Sequence, residues 1–585
     1  MATASDGRAD IGDGRSVDSG ESSDAIASLD AVSSPDAVSN LDAVSSPDAD
    51  LSDATVTDGA SVDAATDAAV VVTCTPSGTG GPSGPSTRKV PAEFLARTYE
   101  EAFGRIPDQG GWNHWVGYFE TAGCSAATLR TITNFFRTSE FLGRPYDNGQ
   151  RLLALYRGAL GREPEATSFA FHRAILDRDP TAWCDMVDEF ETNAEYISNV
   201  TAICDPAVAN YHRETVNPPT AIAATVTQSA LQSMLDRAAS GATVTLPESA
   251  LVIANSTLTL PAGVTLTTSG VTGMPGRLAY ARMARIVRNA PFDAPLVRLM
   301  PGATLRNVWL DGRRAAYPTT RAGNGQNVFV LPATGRASRV EWIRSDNPLG
   351  PQNIRFAGST RRDGCSANNT ANENLVINAS NDNRLTGSQW SDGIFTLCEN
   401  AAITDNEVID ASDVALIAFF SENSTPQHSH ITGNRVLSAG NDSFGGLGTD
   451  PWAGASGSCS GDCDFTGTLF DGNTVWSGPN TRFVIGLAVG TRAWSFISPH
   501  GNGRGARYTN NTSGISRVRV QLAIYVSGML GASLSGNWNP TLIDYASTPA
   551  VPTNRCGIGA TLANTPGFAS GSLQGAVAAD RDNCI

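Results

Sequence analysis

The chain has 585 residues, which is too long for one ordinary compact core, so we expect two or more domains. Its formal net charge is −16, but residues 1–73 hold 15 acidic side chains against two Arg, and the remainder carries only −3. This balance argues against nucleic-acid binding, which requires a basic surface. No run of about 18 apolar residues occurs, so no membrane span is predicted.

The first predicted region, residues 1–88, is a disordered acidic tail. It is rich in Ser, Asp and Ala, and a ten-residue segment that begins at Leu29 returns with small changes at Leu41. Such a segment cannot bury enough apolar surface to offset its chain entropy. It ends in a Gly/Pro-rich linker at 78–85. We interpret the tail as a solvated spacer.

The second region, residues 89–205, is predicted to be a small helical domain with an internal duplication. Tyr99-Glu-Glu-Ala-Phe-Gly-Arg-Ile-Pro returns 57 residues later as Tyr156-Arg-Gly-Ala-Leu-Gly-Arg-Glu-Pro. Each Gly-Arg-x-Pro is typical of a helix C-terminus, where Gly takes the left-handed conformation and Pro prevents continuation. We expect three tryptophans in the core of this domain: Trp112, Trp115 and Trp183.

This region resembles a helical bacterial domain of unknown function found in secreted and S-layer-type proteins, which is itself similar to phycobilisome linker domains. The resemblance rests on the duplicated tyrosine, the two Gly-Arg-x-Pro segments, and Ser139-Glu-Phe echoed by Ala194-Glu-Tyr. It implies attachment or assembly, with a cell envelope or S-layer as the partner, and it supplies no catalytic residues.

The third region, residues 206–585, is predicted to be all-β after one short helix. That amphipathic helix covers 229–239 and carries Leu231, Met234 and Leu235 on one face. Short strands follow, separated by turn-forming residues, and the first three are expected at 243–246, 256–260 and 264–267. Many short strands of this kind indicate a sandwich, a barrel or a solenoid.

An internal repeat decides in favour of the solenoid. An apolar residue, two turn-forming residues and an Asn recur as Ile403-Thr-Asp-Asn406, Ile431-Thr-Gly-Asn434, Phe470-Asp-Gly-Asn473, Tyr508-Thr-Asn-Asn511 and Leu534-Ser-Gly-Asn537. Stacked coils of a parallel β-helix would place these Asn side chains at one corner, bonded up the stack. The unequal spacings of 28, 39, 38 and 26 residues then reflect loop insertions.

With Gly241-Ala-Thr-Val-Thr-Leu-Pro and Leu258-Thr-Leu-Pro-Ala-Gly-Val-Thr-Leu, this region resembles the pectate-lyase-like superfamily of right-handed parallel β-helices. The resemblance implies an extracellular protein that processes or binds a polysaccharide, with hydrolase or lyase activity on a uronate-rich glycan. The superfamily also contains phage tailspikes and non-catalytic adhesins, so a cell-surface adhesin or matrix protein is the alternative.

The Asn repeat predicts a column of charged residues on successive coils. Asp392, Asp413 and Asp442 are expected to stack, with Arg482 and Arg519 continuing the column. Neighbours would lie about 5 Å apart and alternate members about 10 Å apart, which brackets the carboxylate separations of glycosidases. Alternatively the carboxylates recruit Ca²⁺ or make turn hydrogen bonds. The two Arg suit the carboxylate of a uronate.

Trp390 directly precedes this column and is a candidate either for stacking on a sugar ring or for structural packing. Ser391-Asp392-Gly and Ser412-Asp413 also resemble the Asn-Thr-Asp and Asp-Asp motifs of polygalacturonases. Ser412 replaces the first Asp of the second motif, and the Gly-His-Gly and Arg-Ile-Lys motifs have no counterpart. Lyases of the superfamily that this region resembles commonly use Lys or Arg as the base, and since Lys89 is the single lysine, the resemblance implies an Arg base.

Ten cysteines, an even number, fit an oxidising compartment. Proximity in sequence suggests the pairs Cys184 with Cys204, Cys365 with Cys398, Cys459 with Cys463, and Cys556 with Cys584, and leaves Cys74 and Cys124 unassigned. The first residues lack the apolar core of a signal peptide. We expect the true start to lie upstream and the protein to be secreted or at the cell surface.

Overall fold

A computed structural model describes the chain over the following ranges: 72–75, 90–205, 218–271, 280–318, 320, 322–331, 333, 335–357, 368–377, 390–419, 427–450, 463–490, 503–514, 516–527, 529–538 and 542–545, with backbone alone for 527, 529–530, 545, 561–563 and 577–580. Residues 59–585 form one compact unit. The predicted disordered tail, residues 1–88, lies outside the described residues except at 72–75. There Val72 packs against the helical core, and Cys74 is disulfide-bonded to it.

The first part of the described chain is helical, as predicted. Its helices are Ala92–Phe103, Gln109–Ala122, Ala126–Thr133, Ser139–Leu142, Asn148–Leu155, Ala166–Arg178, Trp183–Thr192 and Ala194–Cys204, with a π-helical turn at Tyr156–Leu160. Gly104 and Gly161 end the two duplicated helical segments with φ of 66° and 70°, which confirms the predicted left-handed caps. Trp112 and Trp183 are buried in the core, and Trp115 is half-buried beside them.

The disulfides of this part correct one sequence expectation. Cys74 bonds Cys184, and Cys124 bonds Cys204, so the pairing of Cys184 with Cys204 is wrong. These bonds close separations of 110 and 80 residues, because tertiary packing rather than chain proximity selects the partners. Cys398 and Cys463 are also disulfide-bonded. The other four cysteines lie outside the described residues: Cys365, Cys459, Cys556 and Cys584.

The predicted amphipathic helix forms at Gln228–Arg237 and covers the first coil of the β region. Leu231 and Leu235 are fully buried in the solenoid core. Met234 is 37% exposed, so it does not share their face as expected. The three predicted strands form at Thr243–Leu246, Leu258–Leu260 and Thr265–Thr268.

Three long sheets build the β region, and from Thr243 to Gly490 each coil contributes one strand to each sheet in turn. Sheet A comprises Thr243–Leu246, Thr265–Thr268, Thr304–Arg306, Arg339–Glu341, Thr370–Asn372, Ala402–Thr404, His430–Thr432, Leu469–Asp471, Arg507–Thr509, Ser533–Ser535 and Thr561–Ala563. Sheet B comprises Leu251–Ala254, Ala284–Arg288, Val308–Asp311, Arg344–Asp346, Leu375–Ile377, Glu407–Ile409, Arg435–Ser438 and Thr474–Ser477.

Sheet C comprises Leu258–Leu260, Val297–Leu299, Val328–Val330, Gln352–Phe356, Asp392–Thr396, Val414–Phe419, Ser443–Asp450, Phe483–Gly490, Val518–Ser527 and Ile543–Tyr545, with Val577–Asp580 also paired to Val518–Ser527. A small sheet joins Cys463–Asp464, Gly503–Arg504 and Met529–Leu530. The described strands of the long sheets pair in parallel, as in sheet C between Ile394 and Leu416. This pairing is that of a parallel β-helix.

The corner between sheets A and B carries the predicted ladder of Asn side chains. Asn406 donates from Nδ2 to Oδ1 of Asn434 (2.9 Å), and Asn434 donates in the same way to Asn473 (2.8 Å). The residue before each Asn is left-handed, for example Asp405 (φ 56°) and Gly433 (φ 67°), which explains the turn-forming residues of the repeat. The ladder begins one coil before the sequence repeat, at Asn374.

The outer face of sheet B is covered by the helical part of the chain. Six apolar side chains from this face enter the hydrophobic cluster of the helices: Trp309, Leu375, Ile377, Ile409, Leu437 and Trp476. Polar contacts fix the docking. Gln109 donates to the Ser513 carbonyl (3.3 Å), and the Ile106 N–H donates to the Glu407 carboxylate (3.1 Å). The outer face of sheet B is therefore covered by the helices and is not open to a ligand.

Candidate functional site

Four charged residues form a row across the edge of sheet C where its strands begin. Phe483 pairs with both Ser443 and Val520, so the preceding residues Asp442, Arg482 and Arg519 lie side by side on successive coils. Arg519 pairs in turn with Asp544. We call Asp442, Arg482, Arg519 and Asp544 the Asp/Arg row.

An ion pair and a backbone hydrogen bond link the first two members of the row. The Asp442 carboxylate accepts the Arg482 N–H (3.0 Å), and its Oδ2 lies 3.4 Å from Arg482 Nε. Burial raises the pKa of Asp442, and the attraction of Arg482 and Arg519 offsets part of that rise. Arg519 donates from Nη1 to the Pro479 carbonyl (3.1 Å). Both Arg residues are half-buried.

Asp392 and Asp413 form a separate pair on the two coils before the row. The Asp413 N–H donates to the Ser391 carbonyl (3.0 Å), and the Val414 N–H donates to the Asp392 carboxylate (3.2 Å). The two residues are 5% and 6% exposed. They thus occupy neighbouring coils as the sequence predicts, but inside the protein surface.

Asp442 does not continue this pair, which corrects the expected single column. Val414 pairs with Gly445, so Asp413 faces Phe444, and Asp442 is two residues out of register. The path from sheet B to sheet C takes five residues in one coil, from Ile409 to Val414, and eight in the next, from Leu437 to Gly445. Counting a fixed number of residues from each Asn of the ladder therefore does not identify the residues that are neighbours in sheet C, because the turns between sheets B and C differ in length.

The remaining predicted site residue, Trp390, is half-buried directly before Ser391. Arg517 was missed by the sequence argument. It lies two residues before Arg519 in the run into the same strand, and the two-residue period of a strand puts both on one face. The alternating pattern Arg517-Val518-Arg519 was the sequence signal that could have identified Arg517.

A cleft of about 320 Å³ opens beside the end of the Asp/Arg row. One side is helix Gln109–Ala122, and the other is formed by the turn 477–479 and the last described coils. The solenoid contributes Ser477, Gly478, Pro479, Arg517, Arg519, Leu542 and Asp544, and the helix contributes Trp112, Asn113, Val116, Gly117 and Glu120. Arg517, Glu120 and Asp544 are exposed.

A second cavity, of about 80 Å³, lies between the helices and sheet B and is lined by paired charges. Arg285 pairs with Glu163 and with Asp311 (2.6 Å), and Arg344 pairs with Glu101 (2.9 Å). The Trp309 ring lies 4.2 Å from the Arg285 guanidinium. These charges form ion pairs with one another, so we assign them to docking rather than to ligand binding.

Neither a metal cluster nor a membrane span is found in the described parts. Over those ranges, no three His, Cys, Asp or Glu side chains come together in a way that would hold a metal ion. The helices there are all too short or too polar to cross a bilayer.

Strand pairing and docking together define the class of the protein: a parallel β-helix with a helical region packed on one sheet. No family model and no curated protein matches the chain. Among solved structures, the Dettilon tailspike protein (gp208) is similar at 14% identity and a TM-score of 0.31, covering 57% of this chain and 64% of the tailspike chain. ORF18 of Geobacillus virus E2 is similar at 8% identity and a TM-score of 0.24, covering 58% and 61%. The chain thus spans less than two-thirds of either structure.

Proposed function

We propose that the protein binds an acidic, uronate-bearing polysaccharide along the Asp/Arg row. The observation that carries this proposal is the cleft beside the row, into which Arg517 and Arg519 open together. Planar guanidinium groups on adjacent positions suit sugar carboxylates, since each can donate two parallel hydrogen bonds. Asp442 and Asp544 supply acceptors for sugar hydroxyls.

Binding of the full chain to polygalacturonate, with dextran as the neutral comparison, tests this proposal. We expect Arg482→Gln to weaken binding to polygalacturonate by tenfold or more, which is about 1.4 kcal/mol. Arg507→Gln is the matched control, because Arg507 is exposed on sheet A, away from the row. Equal affinity of the two variants, or failure of the wild-type chain to bind any uronate polymer, would contradict the proposal.

Cleavage of the bound glycan is the second candidate function, favoured by the adjacency of Asp392 and Asp413. Their burial favours binding over cleavage, since a catalytic carboxylate must reach its substrate. The assay follows reducing ends and the absorbance of unsaturated uronates, with and without Ca²⁺. Reducing ends that disappear in Asp392→Asn and Asp413→Asn indicate a hydrolase. Unsaturated products lost in Arg482→Gln or Arg519→Gln indicate a lyase, and no product indicates a non-catalytic adhesin or matrix protein.

We also propose that the protein works outside the cytoplasm, secreted or at a cell surface. The six described cysteines support this, because all are disulfide-bonded and such bonds persist in oxidising compartments: Cys74, Cys124, Cys184, Cys204, Cys398 and Cys463.

A further inference from the structure

Helix Gln109–Ala122 stands over the last described coils of the solenoid and is fixed there at its N-terminal end. Asp108 caps the helix by accepting the Gly111 N–H (2.7 Å). The Gln109 side chain donates to the Ser513 carbonyl (3.3 Å), and Trp112, 2% exposed, anchors the first turn. The helix is therefore held as a rigid wall opposite the end of the Asp/Arg row.

The two walls of the cleft differ in chemistry. The solenoid side carries two cations, Arg517 and Arg519, with Asp544 beside them. The helix side carries the amide of Asn113 and the carboxylate of Glu120, next to the apolar Val116. The cleft volume of about 320 Å³ lies at the lower end of the usual size of small-ligand sites.

A backbone contact holds Arg519 at the cleft wall. Its Nη1 is bonded to the Pro479 carbonyl, whereas its Nε is buried and has no acceptor within the described part of the chain.

We propose that this cleft is a subsite for one anionic sugar unit, shared by the helical region and the β-helix. The sugar carboxylate faces Arg517 and Arg519, and its hydroxyls face Asp544 and Glu120. This inference rests on the proposed function and extends it, because the helical region becomes part of the binding site rather than an attachment device alone.

Gly117 provides a test that leaves the charges untouched. It lines the cleft from the helix, and a Cβ added there meets no atom within 4 Å. The first carbon of a Gln side chain at this position therefore meets open space, and Gly117→Gln adds volume on the cleft side while raising the helix propensity of the position. The matched control is Thr121→Gln, an exposed position on the same helix that does not line the cleft.

Affinity for polygalacturonate is measured on the full chain, with the melting temperature as the folding control. We expect Gly117→Gln to bind at least tenfold more weakly than the wild type at an unchanged or higher melting temperature, and Thr121→Gln to bind as the wild type does. Wild-type affinity in Gly117→Gln, together with weakened binding in Arg482→Gln, would overturn the shared subsite while leaving the proposed function standing. Absence of binding by the wild-type chain to every uronate polymer tested would overturn both.

Discussion

Buried carboxylates between the helices and sheet B titrate far from their ordinary range, in opposite directions. Burial raises the pKa of Asp410 to about 7, although it accepts the N–H groups of Ala439 (2.6 Å) and Gly440 (3.0 Å). Glu163 is equally buried, but Arg157 and Arg285 outweigh the burial and lower its pKa to about 2. The difference lies in the number of cations in contact.

Asp410 makes the stability of the protein depend on pH. Between about pH 4 and 7 the folded chain holds the proton that the unfolded chain releases, so this group makes folding less favourable as the pH rises through that window. We expect Asp410→Asn to be more stable than the wild type at pH 8, by up to about 4 kcal/mol, and to match it near pH 4. Denaturant unfolding across this pH range measures the difference.

Asp236→Asn is the control for that experiment, because Asp236 is exposed on helix Gln228–Arg237. We expect the free energy of unfolding of Asp236→Asn to equal that of the wild type at every pH. A stability difference between Asp410→Asn and the wild type that does not change with pH would show that Asp410 does not titrate in this window.

At the scale of elements, the Asn ladder links each coil to the next. Asn434 accepts the N–H (2.9 Å) and the Nδ2–H (2.9 Å) of Asn406, and it donates to the Ile403 carbonyl (2.9 Å). All of these groups are buried, so water cannot replace a lost partner. The ladder therefore stabilises the stacking as well as the turn.

We expect Asn434→Ala to lower the free energy of unfolding by about 2–4 kcal/mol, since two buried donors of Asn406 lose their acceptor. Asn510→Gly serves as the comparison at the same corner. Asn510 is exposed, and Gly tolerates its left-handed φ of 54°, so we expect a loss below about 1 kcal/mol. Similar denaturation midpoints for the two variants would count against a stabilising ladder.

At the scale of the whole molecule, the docked helices cover an apolar face of the solenoid that would otherwise be exposed to water. Trp309, Ile409 and Trp476 are each at most 3% exposed under the helices. A fragment of residues 206–585 would expose them and strip Arg285 and Arg344 of their partners Glu163 and Glu101. Exposed apolar faces of this kind cause association.

We therefore expect the 206–585 fragment to aggregate and to bind a hydrophobic dye, whereas residues 72–585 do neither. Residues 72–585 keep the covering helices and the Cys74–Cys184 bond. Light scattering and dye fluorescence compare the two fragments. A monomeric, dye-silent 206–585 fragment would show that the helical region is not needed to cover sheet B.

Local rules predicted much of this protein from its sequence. The turn-and-Asn repeat set the register of the corner between sheets A and B, and Gly104 and Gly161 ended their helices as expected. Met234 departed from its predicted face, and Asp442 from its predicted column. The first depended on how the helix packs on the coil, and the second on the length of a turn.

The sequence by itself determined the repeating architecture. The turn and the buried Asn side chain of each coil are local features, and the neighbouring coils only reinforce them. It also determined which residue types were available for a glycan carboxylate. Only the tertiary structure decided the disulfide partners, the docking of the helices on sheet B, and the cleft that joins helix Gln109–Ala122 to Arg517 and Arg519. These depend on contacts between residues up to several hundred positions apart, and such contacts leave no periodic signal in the chain.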